Sequence, residues 1–351
     1  MGDVQMLIDG ERVTAEAGET FENVNPATEE VLGSVADASP TDMRRAIDAA
    51  RRAFDTTDWG TNHALRRRCL HQLKAAIESE QEELRAELVA EVGCPVLTTY
   101  GPQLDAPLRE ALSWPADMIE RFPWSRSLGP KDAFGTGPAE REVWKEPIGV
   151  VGTIVPWNFP IEIILNKLGP ILAMGNSCVL KVAPDTPYNA TRLARLIAEQ
   201  TEFPAGVVNI VTASDHKIGE VLTTSPDVDM IAFTGSTATG RQIMENAART
   251  LKPVFLELGG KSVNLLLDDA DFEASLPGAA GVCMHAGQGC AMATRLLVPA
   301  RLLGDAVDAA KAAFETVVYG DPTDPRTFQG PQISRKQQQR VLGYIDQGRA
   351  E

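Results

Sequence analysis

The chain has 351 residues, 44% hydrophobic and 23% charged, which is ordinary for a globular protein and long enough for two domains around sizeable cores. A formal net charge of −15 and a pI near 4.8 leave no basic stripe to neutralise phosphates, so nucleic acid is excluded as a partner. The opening MGDVQMLIDGER has no apolar h-region, and the longest apolar run, IEIILNKLGPILAMG, is broken by Glu162, Lys167 and Pro170. Neither a signal peptide nor a membrane span is expected, and a cytoplasmic location is the simplest reading.

The first 125 residues read as mostly helical. PTDMRRAIDAARRAF (40–54) and the long stretch 63–93 carry apolar residues at i, i+3, i+4 spacing, and SWPADMIERF (113–122) continues the pattern. Residues 129–147 are rich in Gly and Pro and then alternate, which predicts a hairpin-type excursion suited to an interface. From 148 the texture changes. IGVVGTIVP, SCVLKVA, GVVNIVT, MIAFTGS and PVFLELGG are short β-branched runs, separated by helical patterns near 161–174, 187–201, 216–224 and 237–249. That alternation predicts an α/β fold, a doubly wound parallel sheet of Rossmann-like type covered on both faces. SVNLLL (262–267) and TRLLVPARLL (294–303) are further strands, expected in a second, incomplete α/β domain.

Ligands of such sheets bind beyond the carboxyl ends of the strands, so the residues there are the ones to weigh. Asn158 in PWNFP follows the first strand and is either a turn asparagine or an amide donor. Lys181 ends the second strand, where a lysine ordinarily reaches solvent. FTGSTATG (233–240) opens a helix with Gly, Ser and Thr, a setting for phosphate or simply a capped turn. Glu257 precedes a Gly-Gly step after an apolar run, so it reads as a desolvated general base or as an ion pair with Lys261. Five scattered cysteines without C-x-x-C spacing, and four histidines without an H-x-x-x-H pair, predict neither disulfides nor a metal site. Cys290, set among glycines in HAGQGCAMATRLLV, is then a packed thiol or a nucleophile.

Taken in order, PWNFP, LKVAPDTP, GVVNIV, FTGS, LELGGK, GQGCAMATR and GPQISRKQQQRVLGYI resemble the NAD(P)-dependent aldehyde dehydrogenase superfamily over essentially the whole chain. The resemblance implies a Cys290 nucleophile that forms a thiohemiacetal and then a thioester, Glu257 as the base for its hydrolysis, Asn158 in the oxyanion hole, and Lys167 linked to proton movement. It assigns the cofactor to Ile154, Trp157, Lys181, Gly219, Phe233, Gly235, Ser236 and Gln337. NAD is the expected cofactor, with NADP left open, and a small aldehyde the expected partner. The implied domains are 1–124 with 148–259 for the dinucleotide, 125–147 as an oligomerisation hairpin, and 260–351 as a partial catalytic domain.

Four departures from the family pattern stand out. His285 replaces the Asn that opens the cysteine motif, Pro184 replaces a ribose-gripping Glu, and Glu257 and Cys290 are one residue closer than in many relatives, as by a deletion in an intervening helix. The chain also ends at GYIDQGRAE, short of the usual length, which predicts a fragment or a truncation with weakened self-association into dimers or tetramers. Two rival readings follow: an inactive or cofactor-binding-only relative, and a cysteine hydrolase or acyltransferase using Cys290 with His285.

Overall fold

The computed structural model of the chain describes residues 4–132, 135 and 137–351. Four short strands come first, β1 (Met6–Ile8), β2 (Glu11–Val13), β3 (Thr20–Val24) and β4 (Val31–Ala36). Helical spacing does not reveal them, because each is only three to six residues long. Helix α1 (Pro40–Thr56) starts where Ser39 and Asp42 form a capping box, and it turns Met43, Ala46, Ile47 and Ala50 inward. The periodic stretch 63–93 is two helices, not one: α2 (His63–Ser79) and α3 (Gln81–Val92) break at Glu80, and Gly93 closes α3 in the left-handed region. Short helices α4 (Val96–Thr99), α5 (Asp105–Glu110) and α6 (Ser113–Arg121) follow.

The excursion contains two antiparallel pairs. Strand β5 (Ser125–Ser127) pairs with β8 (Glu142–Trp144), and β6 (Lys131–Asp132) with β7 (Pro138–Ala139); residues 133, 134 and 136 lie outside the described residues.

The alternating part then proceeds as its texture predicts: β9 (Val150–Ile154), α7 (Pro160–Ala173), β10 (Ser177–Lys181), α8 (Tyr188–Gln200), β11 (Val208–Val211), α9 (Ile218–Thr224), β12 (Met230–Gly235), α10 (Thr237–Ala248) and β13 (Val254–Leu258). Seven strands form one sheet in the order β13-β12-β9-β10-β11-β1-β2. The five alternating strands are mutually parallel, while β1 joins β11 antiparallel and carries β2, so the sheet is mixed at that end.

Helices cover both faces and create two cores. One gathers Leu70, Leu73, Leu168, Leu172, Leu180 and Ile210; the other gathers Met43, Ile47, Val179, Val211, Leu222 and Ile231. Burying these side chains is the main driving force for the arrangement. Between α3 and α8 the buried carboxylate of Glu91 accepts hydrogen bonds from the backbone N–H groups of Tyr188 and Asn189 and from the amide of Asn23. It fixes the start of α8, directly after the loop that leaves Lys181.

Past β13 the packing thins. Strand β14 (Val263–Leu265) pairs in parallel with β15 (Arg295–Leu297) in a sheet of two strands. The stretch read as a strand to residue 303 ends at Leu297, because Pro299 begins a 3-10 turn that runs into α12 (Leu303–Glu315). Between β14 and β15, α11 (Phe272–Ser275) leads into 3-10 turns within Leu276–Gly287 that break at Met284–Ala286, in place of the regular helix the sequence predicts. The last element is α13 (Arg335–Ala350), capped by Ser334.

Candidate active site

Loops after β9, β10 and β12, together with α9, α10 and α13, enclose a cleft of about 520 Å³. Ile154, Trp157, Lys181, Gly219, Phe233, Gly235, Ser236 and Gln337, far apart in sequence, all line it. The reason is topological: β10, β9 and β12 are parallel neighbours, so their carboxyl ends open on one side.

At the β12 turn, Ser236 caps α10 by accepting a hydrogen bond from the N–H of Thr239 at 3.2 Å, while the N–H groups of Thr237 and Ala238 have no carbonyl within the helix to bond. Gly235 is required there, since a Cβ would lie 2.4 Å from the Phe233 ring. Lys181 does not reach solvent; it is 3% exposed, and burial pushes its ammonium down to about 8 while Asp185 pulls the other way. A buried cation and a helix N-terminus on one concave wall fit the phosphates of a dinucleotide.

The cysteine lies on a neighbouring loop. Of the five thiols only Cys290 is exposed. Burial pushes Cys69 up to about 11 and Cys94 and Cys178 up to about 12, and it raises Cys283 as well. Cys178 sits in the middle of the sheet, its Sγ 3.3 Å from the Thr153 hydroxyl, where no substrate can reach it. Nucleophilic chemistry needs an accessible thiol, so Cys290 is the candidate that geometry leaves.

The Cys290 loop is anchored from outside itself. The Asn158 side-chain amide donates to the Gln288 carbonyl at 2.8 Å, and the Asn158 carbonyl accepts from the Gln103 amide at 2.8 Å. His285 Nε2 lies 3.1 Å from the same carbonyl, and the imidazole ring meets Phe159 edge-on. Buried Gln288 donates to the carbonyls of His285 and Pro331 and accepts from the N–H of Ile333. Backbone angles of φ 50° at His285 and 55° at Ala286 make the sharp turn this requires.

The strand side completes the group. A Cβ on Gly260 would lie 3.4 Å from the Cys290 carbonyl, so the Gly-Gly step after Glu257 packs beside the cysteine. Glu257, expected to be desolvated, is exposed, because β13 is the edge of the sheet and its side chain projects from the uncovered face. The alternative ion pair is absent among the described residues: Lys261 donates to the Gly260 carbonyl instead. Lys167 is the desolvated member, buried on α7 with its ammonium 5.3 Å from the Phe255 ring and no hydrogen-bond partner. Burial lowers it to about 8, opposed by the charge of Glu257.

Sequence reasoning did not single out Gln103, Gln288, His216, Lys336 or Arg340. Gln288 lies inside the quoted cysteine motif, and Lys336 and Arg340 inside GPQISRKQQQRVLGYI, whereas Gln103 and His216 gain meaning only from the fold.

The chain matches the aldehyde dehydrogenase family over residues 13–351. It is 39% identical to a mitochondrial aldehyde dehydrogenase of Leishmania tarentolae over 98% of this chain and 68% of that protein. It is 35% identical to the NADP/NAD-dependent aldehyde dehydrogenase PuuC of Escherichia coli strain K12, over 98% of this chain and 69% of the relative. The solved NAD+ complex of an aldehyde dehydrogenase from Bacillus cereus superposes with a TM-score of 0.90 at 37% identity, covering 99% of this chain and 70% of that one.

Proposed function

Because the chain belongs to the aldehyde dehydrogenase family, we propose that it oxidises a small aldehyde to a carboxylic acid with NAD(P)+, using Cys290 as the nucleophile. The observation that carries this reading is the single exposed thiol, held by Asn158 beside a cleft that fits a dinucleotide.

The Cys290 thiolate adds to the aldehyde carbon. An Asn amide has two N–H groups; one is engaged by the Gln288 carbonyl, and the other, with the backbone N–H of Cys290, holds the oxyanion. A nicotinamide dinucleotide in the cleft supplies the hydride acceptor. Loss of hydride turns the thiohemiacetal on Cys290 into a thioester. Glu257 then takes a proton from water, the hydroxide displaces the thiolate, and the carboxylic acid leaves. Exposure gives Glu257 ready access to that water.

The hydrolase rival loses its support, since His285 bonds to Asn158 on a left-handed turn and makes no hydrogen bond to Cys290 among the described residues. Mixing the protein with an aldehyde panel and either dinucleotide tests the reading. One acid released per NAD(P)H formed is expected, and acid release without reduction of the dinucleotide contradicts it.

The same proposal assigns 1–124 and 148–259 to the dinucleotide, 260–351 to the catalytic part, and 125–147 to self-association. Trp144, 67% exposed on the β5–β8 pair, supports the last. Cytoplasmic residence belongs to it too, supported by five unpaired thiols.

A further inference from the structure

The nucleophile reading, on which this inference rests, leaves open which aldehydes reach Cys290. The start of α7 is the wall beside that thiol: the Asn158 amide holds the Gln288 carbonyl, and the Phe159 ring meets His285 edge-on with centroids 5.5 Å apart. Residues at i, i+3, i+4 and i+7 of a helix share one side, so Glu162, Ile163 and Asn166 continue the line that Phe159 begins. Along the first two turns of α7 these are the residues that escape burial, while Ile161, Ile164, Leu165 and Lys167 are buried. The partly open side of α7 therefore runs outward from the Cys290 loop and flanks an approach to the thiol.

Glu162 is the charged member of that line. It is half-buried, yet its carboxylate makes no hydrogen bond or ion pair with any described residue. Lys167, five residues on, lies over the Phe255 ring instead, and Arg109 of the adjoining α5 is exposed and makes no ion pair with it. Burial disfavours the charged form of Glu162, and no cation offsets that. A first-turn carboxylate gains from the helix N-terminus, but an exposed one would gain it without desolvation. Half-burial without a partner is favourable where a ligand brings the positive charge.

We propose that Glu162 determines substrate choice by receiving an ammonium group on the tail of the aldehyde, so that the protein prefers short ω-amino aldehydes to neutral ones of the same length. Its place one helical turn, about 5.4 Å, beyond Asn158 separates the charge from the carbonyl that Cys290 attacks by the length of a short aliphatic chain. Asn166, a further turn along and exposed, adds a second polar group on the same side. An aldehyde with an anionic tail meets repulsion there.

Charged thiol reagents test the field at Cys290 without any turnover. Alkyl methanethiosulfonates of like size, one bearing a quaternary ammonium and one a sulfonate, are reacted with the full chain, and the mass of the Cys290 peptide gives the two rates. The cation should react faster, and Glu162→Gln should lower the ratio about tenfold, the effect of one nearby charge on two reagents of opposite sign. Glu162→Lys should push it further the same way. Glu11→Gln removes the same charge from β2, at the opposite edge of the sheet from β13, and should leave the ratio within about twofold. With NAD(P)+, kcat/KM should favour 3-aminopropanal over butanal, and Glu162→Gln should cut that preference about tenfold, mainly through KM. Equal changes of the reagent ratio in Glu162→Gln and Glu11→Gln overturn the proposal, as does a preference for butanal. Oxidation of neither aldehyde, with the reagent ratio shifting as expected, would instead reject the dehydrogenase reading and leave Glu162 as the group that selects cations at the thiol.

Discussion

The sheet of seven strands and the segment from β14 onward contain similar apolar residues and use them differently. In the first, Leu180, Val179 and Ile210 are fully buried between helices. In the second, the buried cluster is Leu266, Leu276 and Ala306, while Leu265, Leu267 and Leu297 are each more than half exposed. The Cys290 loop belongs to the second region by sequence and to the first by its contacts. His285 and Gln288, both buried, tie it to Asn158, and Asn158 is tied to Gln103. Order at Cys290 is therefore borrowed from the side of the seven-stranded sheet through directional polar contacts, and a local core contributes little.

The sharpest way to break this contrast is to treat the cysteines alike. Cys290→Ala should abolish aldehyde-dependent NAD(P)H formation, because no other exposed thiol exists. Cys178→Ala should preserve the chemistry and cost about 1–3 kcal/mol of stability, as a core truncation does. A Cys178→Ala protein that folds and is inactive would reverse the assignment.

Glu257→Gln comes next. Stopped-flow traces should show a burst of NAD(P)H and then turnover slowed about 10²–10⁴-fold, the usual share of a general base. Unchanged steady-state turnover would remove Glu257 from that role.

His285 gives a pH test of the borrowed order. Burial holds its imidazole at about 4, below its ordinary 6.5, so the unfolded chain binds that proton more readily than the folded one. Stability from this group is therefore full above pH 6.5 and falls as pH drops from 6.5 toward 4, by about 3 kcal/mol in total. Hydrogen exchange over residues 283–291 should accelerate in that window before exchange in β10 does. His285→Gln should flatten the dependence; identical acid profiles in the two proteins would deny His285 this part.

The smallest effects lie on the uncovered face. Leu265→Ser should change stability by within about 0.5 kcal/mol and reduce binding of a hydrophobic dye, whereas Leu180→Ala should cost about 2–5 kcal/mol. Comparable losses at the two sites, read from denaturant midpoints, would mean the exposed leucine is covered in solution.

What could be read from the sequence follows the same division. The β9 to β13 alternation and α7 to α10 were legible because continuous apolar runs and 3.6-residue spacing report burial directly. The short β1–β4 gave no such period, and the break at Glu80 lacks a Gly or Pro to announce it. The residues that line the cleft were legible as motifs at strand ends. The exposure of Glu257 was not, because an edge strand and a covered one carry similar sequences. Nor were Lys336 and His216, whose nearness to Lys181 exists only once α13 and the loop before α9 meet at the cleft.

The sulfur that carries the acyl group decides the mechanism. Glu257→Gln protein, given aldehyde and NAD(P)+ and quenched in acid within the burst, should be digested and examined by mass spectrometry. An acyl mass on the peptide containing Cys290, in an amount equal to the NAD(P)H of the burst, is the predicted result. An acyl mass on Cys283 or Cys178, or a burst of NAD(P)H with no acylated cysteine at all, would contradict it.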